Sequence, residues 1–294
     1  MRSPFQISVI NDEISQDFDH TCAIAAREFG MQWIEIRGMW NKNVLKLDAN
    51  EIAEARRILE KYKLRVTDIA SPLFKVDWPA APKSEFSPKR DQFNADFTYE
   101  QQDEVLERSI ELAKAFRTHR VRCFDFWRLA DPAPHRAAIN QKLLEAATKA
   151  GKHKVLLVLE NEFACNTATG AEAAKTLGAI PSSDLMLNWD PGNAAARGER
   201  PYPDGYSLLP KNRIGHCHCK DAVPGKNGKE YDWAAMGHGM IDWVAQFRAL
   251  KMDGYKHAVS LETHWRGAGT PEESTRQSWA GMKELMQKAG VLNI

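Results

Sequence analysis

Residues 155–162, VLLVLENE, form the segment that best indicates the fold of this chain. The apolar run has the length and composition of a strand buried on both faces, which is typical of parallel sheets. It ends in two carboxylates, Glu160 and Glu162. Three later segments repeat the pattern of an apolar run followed by polar side chains: LMLNWDPGN at 185–193, IGHCHCKD at 214–221 and AVSLETH at 258–264. The repetition predicts parallel strands with reactive side chains at their carboxyl ends.

Strand-like and helix-like segments alternate on both sides of this segment. We predict strands at 7–10, 33–37, 65–70, 121–126, 155–160, 185–190, 214–219 and 258–262. We predict helices at 17–29, 49–62, 99–116, 135–150, 170–177, 206–209, 241–250 and 271–288, with Asp48 and Thr98 as N-caps. Eight strand–helix units that close on themselves predict an α/β fold, a single-domain (β/α)8 TIM barrel over residues 1–294. An open doubly wound sheet is the alternative, but no Gly-rich phosphate-binding segment follows the first strand.

Composition limits the possible partners and the compartment. Of 294 residues 43% are hydrophobic, and 40 Lys and Arg against 39 Asp and Glu leave a net charge of +1. Such a balance favours neither a nucleic-acid partner nor a membrane partner. The five cysteines are scattered and odd in number, which favours a reducing cytoplasm. Cys217 and Cys219, which alternate with two histidines, could belong to a zinc-binding tract, but no second cysteine pair completes it.

Two segments are longer than ordinary strand–helix connections. Residues 72–97 contain four prolines and several aromatic residues, and we predict a lid or a subunit contact there, so a homo-oligomer is possible. Residues 224–239 follow the seventh predicted strand and should lie at the same end of the barrel as the other polar strand ends. The sequence contains no apolar segment of a signal peptide and no apolar run long enough to span a membrane.

The later four strands end in a set of candidate metal ligands. Glu160, Asp190, His218 and Glu262 offer carboxylate oxygens and one imidazole nitrogen, a donor set that suits manganese, magnesium, cobalt or zinc. Strand parity alone leaves two choices open. Glu160 and Glu162 point to the same side of one strand, and so do His216 and His218 of another.

Each candidate also has an ordinary structural interpretation. Asp190 precedes Pro-Gly and could simply form a turn. Glu262 could pair with Arg37. Other polar residues at predicted strand ends could contact substrate or only form ion pairs: Asp12, Glu13, Glu35, Arg37, Asp125 and Trp127.

At these residues the chain resembles the xylose isomerase-like superfamily of sugar isomerases and epimerases, over nearly its whole length. The segments that carry the resemblance are Leu159-Glu160, WDPGN at 189–193, HCKD at 218–221, GHGMIDW at 237–243 and Leu261-Glu262. The resemblance implies one divalent ion, Mn²⁺ before Co²⁺, Mg²⁺ or Zn²⁺, held by Glu160, Asp190, His218 and Glu262. In similar ketose 3-epimerases the two matching glutamates are also the catalytic acid/base pair around a metal-bound enediolate.

The resemblance further suggests which residues contact a sugar or cyclitol substrate. These predicted substrate-binding residues are Glu35, Trp127, Asn193, His216, Lys220, Asp221 and His264. The chain departs from the ketose 3-epimerases at Asn193, where they usually carry His, and at Pro224, where they carry Arg. It is also similar to inosose dehydratases, hydroxypyruvate isomerases and enzymes that act on 3-keto sugars.

We therefore predict a metal-dependent isomerase or epimerase that moves a proton next to a carbonyl. A metal-dependent lyase of keto sugars, 3-keto glycosides or inososes is the alternative, because it shares the early steps. A barrel that only binds a ligand is a third possibility. No phosphate-binding segment is evident after the last two strands, which favours a non-phosphorylated substrate. The related endonuclease IV, a nucleic-acid enzyme, needs histidines where this chain has Arg37, Ser71 and Asp125.

Overall fold

The computed structural model describes residues 1–87, 95–226 and 229–293. Eight parallel strands form one sheet: β1 (Gln6–Val9), β2 (Trp33–Ile36), β3 (Arg65–Leu73), β4 (Arg120–Cys123), β5 (Leu156–Glu160), β6 (Leu185–Trp189), β7 (Ile214–Cys219) and β8 (Ala258–Leu261). Each strand from β2 to β7 pairs with the next one in the chain, and β8 also pairs with β1. A parallel bridge between Ile10 and Glu35 joins the end strands, so the sheet is a nearly closed barrel and not an open sheet. The predicted TIM barrel is confirmed.

Helices connect successive strands and cover the outside of the barrel. They are α1 (Phe18–Ala23), α2 (Ala49–Tyr62), α3 (Gln102–Ala115), α4 (Arg136–Lys152), α5 (Gly170–Ala179), α6 (Pro191–Ala196), α7 (Trp243–Met252) and α8 (Pro271–Lys288). Local sequence defines several helix starts. Asp48 and Glu51 form a capping box before α2, and Thr169 and Glu172 form another before α5. Such caps satisfy backbone N–H groups that have no partner within the helix.

Strand alternation separates the two sides of the barrel wall. Cys217 and Cys219 lie in the hydrophobic core, while His216 and His218, also fully buried, form the hydrogen bonds of the site described below. Gly215 is required by the close approach of β6, because a Cβ atom there would lie only 2.9 Å from Cβ of Met186. β7 therefore packs through small or apolar side chains on one face and presents polar side chains on the other.

Several predicted boundaries need correction, among them the end of β3, which lies at Leu73 and not at 70. The first helix is shorter than 17–29, because a wider π-helical turn at Ile24–Glu28 follows Ala23. Thr98 is not an N-cap, since α3 begins three residues later, after Gln101. Regular pairing of β4 ends at Cys123, before the predicted end at 126. After β6 a helix begins at once at Pro191, where the fixed φ of proline suits a first helical position, and this helix was not predicted. The predicted helix at 206–209 is confirmed as a short α-helix, Tyr206–Leu208.

The two long segments follow β3 and β7. After β3, Trp78 packs edge-on against Phe126, with ring centroids 4.8 Å apart; residues 88–94 lie outside the described part of the chain. After β7, an antiparallel hairpin pairs Asp221–Pro224 with Tyr231–Ala234, and residues 227–228 between its strands are not described. The predicted lid or subunit contact stays a prediction. Among the described residues no helix is both long and apolar enough to cross a membrane.

Candidate metal centre

Four polar side chains converge inside the carboxyl end of the barrel. Glu160 is the last residue of β5, Asp190 follows β6, His218 lies in β7, and Glu262 follows β8. One ligand-type atom from each lies within 4.8 Å of the others, and all four residues are buried. The strands bring them together because parallel strands of a barrel end at the same rim.

The ring of His218 is oriented with one nitrogen toward the carboxylates. Its Nδ1 lies 3.3 Å from Oε2 of Glu262, 3.6 Å from Oε1 of Glu160 and 3.8 Å from Oδ2 of Asp190. This buried nitrogen has no hydrogen-bond partner with suitable geometry among the described residues. Burial would lower the pKa of His218, but the charges of Glu35, Glu262 and Glu160 raise it well above its usual value. A divalent cation bound between the three carboxylates would take the place of the proton on Nδ1, because a histidine ligand has to give up that proton.

The other nitrogen of His218 faces Glu35. Nε2 lies 3.0 Å from Oε1 of Glu35 and 3.1 Å from Nδ2 of Asn188. His216 donates to the second oxygen of Glu35 over 2.9 Å. Asp68 is also buried beside Glu35, and its burial and the charge of Glu35 raise its pKa well above the usual value for an aspartate. A polar network therefore underlies the carboxylate cluster inside the barrel.

Asp190 uses its two oxygens for different purposes. Oδ1 accepts a hydrogen bond from the backbone N–H of Asn193 over 2.9 Å and so caps α6. Oδ2 faces the centre and lies 3.1 Å from Nδ2 of Asn193. The backbone N–H of Asp190 donates to Oδ1 of Asn161 over 2.7 Å, which fixes the chain where it leaves β6.

Glu160 is held by one partner at each oxygen. Oε1 accepts from Nδ2 of Asn193, and Oε2 accepts from Nη1 of Arg122, each over 3.1 Å. Arg122 is itself fixed by the carbonyl oxygens of Ala70 and Ser71. Burial alone would raise the pKa of Glu160, but the adjacent His218 and Arg122 outweigh burial and lower this pKa to about 2.

Glu262 is surrounded by cationic or potentially cationic groups. Oε2 accepts from Nζ of Lys220 over 2.6 Å. Oε1 lies 3.3 Å from Nη1 of Arg37 and 3.3 Å from Nε2 of His264. Burial opposes ionisation, but Lys220, His264 and His218 hold the pKa of Glu262 well below its usual value. Glu262 therefore pairs with Arg37, as considered from the sequence, and also belongs to the cluster of four candidate ligands.

Lys220 provides a buried positive charge at the cluster. Its Nζ contacts Oδ2 of Asp190 at 2.8 Å and Oε2 of Glu262 at 2.6 Å, and its side chain is 2% exposed. Burial would lower the pKa of Lys220, but these carboxylates raise it. The backbone permits this approach because Gly192 leaves space: a Cβ atom there would lie 2.4 Å from Cγ of Lys220.

Three further residues considered from the sequence make contacts of other kinds. Glu162 is turned away from it and pairs with Lys75 over 3.1 Å. Asp221 accepts hydrogen bonds from the backbone N–H groups of Gly237 and Gly239, at 3.0 and 3.1 Å, and so anchors the chain that follows the hairpin. Trp127 belongs to a small separate hydrophobic cluster with Phe124, Ala164 and Cys165.

Several side chains near the site were not singled out from the sequence. Arg122 is one, although an arginine inside the short strand RVRC is a signal, because a buried guanidinium needs an anionic partner. A group of half-buried aromatic rings is another: Trp233 packs against Tyr231, Phe163 and His264 with ring centroids 4.8, 6.3 and 5.3 Å apart. Lys220 lies over the Trp233 ring, 5.0 Å from its centroid.

Comparison with protein-family models gives a match over residues 23–285 to the xylose isomerase-like TIM barrel. The chain belongs to this family. A search of curated proteins gives no match.

Solved structures of family-like barrels resemble the chain over nearly its full length at low sequence identity. The IolI protein with a bound zinc atom is 16% identical with a TM-score of 0.73, covering 99% of this chain and 100% of that one. A D-allulose 3-epimerase from Methylomonas sp. is 18% identical with a TM-score of 0.71, covering 98% and 99%. The probable 3-DHS dehydratase AsbF from Bacillus anthracis is 18% identical with a TM-score of 0.69, covering 96% and 99%. At such identities the likeness establishes the fold.

Proposed function

We propose that this protein is a divalent-metal-dependent isomerase or epimerase that transfers a proton next to the carbonyl of a small sugar or cyclitol. One observation carries the proposal: Nδ1 of His218 faces Glu160, Asp190 and Glu262 in a buried cluster. We assign the four residues as ligands of one ion, Mn²⁺ before Co²⁺, Mg²⁺ or Zn²⁺. The buried, unpaired cysteines agree with a cytoplasmic enzyme, and a homo-oligomer stays a prediction.

The ion would polarise the substrate carbonyl and so make the neighbouring C–H group more acidic. Glu160 and Glu262 lie at the ends of β5 and β8, on different sides of the cluster, and we assign them as the acid/base pair on opposite faces of an enediolate. Arg122 and Arg37 contact these carboxylates and keep both ionised, as a proton acceptor must be. The same contacts make both glutamates weaker bases. Polarisation of the carbonyl therefore has to supply most of the increase in acidity of the substrate C–H group.

The rim of the cluster offers polar and apolar contacts for a polyhydroxylated substrate. Asn193, Lys220 and His264 contact the proposed ligands directly and are placed to bind substrate hydroxyl or carbonyl oxygens. The half-buried Trp233 and Tyr231 rings offer an apolar surface for the C–H groups of a sugar ring. Trp127 and Asp221 remain predicted substrate contacts from the resemblance alone.

A metal-dependent lyase is the second candidate, and Lys220 is the observation that favours it. Its ammonium lies at 2.6 Å from Glu262 and could protonate a departing oxygen once a proton has been removed next to the carbonyl. Expulsion of water or of a glycosidic alcohol from the enediolate would then replace reprotonation.

Solvent-exchange measurements distinguish these possibilities. Metal-free protein reloaded with Mn²⁺ is incubated in deuterated water with a panel of ketoses, inososes and 3-keto glycosides, and the products are analysed by NMR and mass spectrometry. Deuterium next to the carbonyl with an intact carbon skeleton and no leaving group supports the isomerase, whereas release of water or an alcohol supports the lyase. Full activity of the metal-free protein would refute both.

A further inference from the structure

The carboxylate of Glu35 bridges two imidazole rings in the interior of the barrel. Oε1 lies 3.0 Å from Nε2 of His218, and Oε2 lies 2.9 Å from Nε2 of His216. None of the three residues has exposed surface. The two rings meet edge-on with centroids 5.3 Å apart, so each can direct an N–H group to a different oxygen of the same carboxylate.

This bridge determines which nitrogen of His218 is available to a metal ion. An ionised carboxylate only accepts hydrogen bonds, so Nε2 of each histidine donates to Glu35, and the Asn188 amide beside Nε2 of His218 then has to present its unpartnered oxygen. Nδ1 of His218 is the nitrogen that would give its lone pair to an ion, and it faces Glu160, Asp190 and Glu262. Glu35 itself contacts the opposite edge of the ring, at Nε2.

We propose that Glu35 is a positioning residue that fixes the tautomer and the ring orientation of His218, and that His216 acts through Glu35 by holding its second oxygen. This inference rests on the proposed metal centre and deepens it. It replaces the substrate contacts that the resemblance suggested for Glu35 and His216. A carboxylate that accepts the second N–H of a ligating histidine typically changes metal affinity by about 10–100-fold.

Co²⁺ binding tests the proposal, because the visible absorption of bound Co²⁺ reports ligand geometry independently of turnover. Metal-free wild type, Glu35→Gln, His216→Asn and the double variant are titrated with Co²⁺ by calorimetry and absorption. We expect Glu35→Gln to weaken binding by about 10–100-fold and to change the spectrum. His216→Asn should weaken binding less. In the double variant His216→Asn should add nothing to the effect of Glu35→Gln, because its effect passes through Glu35.

Glu162→Gln is the matched control, since Glu162 is a buried carboxylate near the cluster that pairs with Lys75. It should bind Co²⁺ like the wild type. Thermal unfolding of each metal-free variant shows whether the variant is folded. If Glu35→Gln is not folded, the Co²⁺ affinity and spectrum of His216→Asn test the proposal in its place. The positioning role would be overturned if a folded Glu35→Gln variant had the wild-type affinity and spectrum. If Glu35→Gln does not fold, the same result for His216→Asn would overturn it. Additive losses in the double variant would also overturn it. Failure of the wild type to bind any Co²⁺ would instead refute the metal centre.

Discussion

Nζ of Lys220 lies 2.8 Å from Oδ2 of Asp190, the same oxygen that faces Nδ1 of His218. The ammonium therefore occupies part of the space that an ion bound between these residues would need. A carboxylate oxygen can accept from a lysine and bind an ion at the same time, but the two positive charges would repel each other, so we expect metal binding to shift Lys220. The lysine neutralises the carboxylates of the metal-free protein and would compete with an ion bound by the proposed ligands.

Replacement of Lys220 by Met should therefore affect the metal-free protein most. Loss of one partner of a buried ion pair costs up to about 3–5 kcal/mol, and a bound ion would replace the missing charge. We expect a lower melting temperature without metal and a larger metal-induced increase in melting temperature than in the wild type. Lys75→Met, which removes a lysine that pairs with Glu162 and with none of the proposed ligands among the described residues, should show the wild-type increase. An equal increase in all three proteins would contradict the competition.

Substitution of the proposed carboxylate ligands, with Glu162 as the alternative to Glu160, tests the assignment of the ligands. Glu160→Gln and Asp190→Ala should lose the single metal ion per chain, because each removes a carboxylate that faces Nδ1 of His218. Glu162→Gln should retain it. Elemental analysis of protein purified without chelator measures the metal content. Metal loss in Glu162→Gln with retention in Glu160→Gln would show that the wrong glutamate was assigned.

Replacement of either proposed acid/base residue should abolish net conversion. A positioned general base contributes about 10²–10⁴-fold in rate, and Glu160→Gln or Glu262→Gln also disturbs a ligand. Deuterium exchange into substrate, measured separately from product formation, shows whether the remaining glutamate still removes a proton. If the wild type converts substrate with no solvent deuterium in any product, a hydride shift is indicated and neither glutamate is the acid/base.

The pH dependence of stability should have a contribution from His257. Nδ1 of this half-buried histidine lies 2.7 Å from Nη2 of Arg120, and burial together with Arg120 lowers the pKa of His257 from its usual 6.5 to about 4. The folded protein then binds this proton less readily than the unfolded chain, so the free energy of unfolding falls as the pH decreases from about 6.5 towards 4. Partial solvation of the ring limits the loss to about 1–2 kcal/mol.

Chemical denaturation between pH 7 and pH 4.5 measures this effect. His257→Asn keeps an acceptor for Arg120 and removes the titrating group, so its stability should fall less with decreasing pH. His238→Asn, which replaces an exposed histidine, should follow the wild-type curve. The prediction fails if His257→Asn and wild type lose stability in parallel.

Asp221 should contribute to stability more than to metal binding. Its carboxylate accepts from four backbone N–H groups, those of Ala222, Gly237, Gly239 and Ile241. Asp221→Ala leaves these donors without an acceptor, and we expect a loss of about 1–3 kcal/mol in the free energy of unfolding with an unchanged metal content. A variant of wild-type stability that no longer turns over substrate would instead support the substrate contact suggested by the resemblance.

The fold could be predicted from sequence because each strand is a short local signal. The apolar runs before Glu160, Asp190 and Glu262 end where the structure ends β5, β6 and β8, to within one residue. Helix α6 was missed because Asp190-Pro-Gly has the composition of a turn as well as of a capped helix start. The same aspartate serves as cap and as proposed ligand, and a local pattern cannot separate these uses.

The four residues that form the cluster could be predicted from the sequence, but the side chains that contact them could not. Strand parity placed Glu160 and Glu162 on the same side, but parity holds only while the strand continues, and β5 ends at Glu160. Beyond that point the chain turns and Glu162 pairs with Lys75. The pairing of Arg122 with Glu160 joins neighbouring strands, and the bridge from Glu35 to two histidines joins distant segments of the chain. Such contacts depend on side-chain directions that only the closed barrel fixes.

The alternation of β7 also limits how this chain can evolve. His216 and His218 belong to the polar network inside the barrel, whereas Gly215, Cys217 and Cys219 occupy tight positions against neighbouring elements. A one-residue insertion or deletion within the strand would exchange the two sets, placing thiols in the centre and imidazoles in the apolar layer. Such a frame change would destroy site and packing together. Length variation is therefore confined to the loops, and this strand can diverge only by substitution.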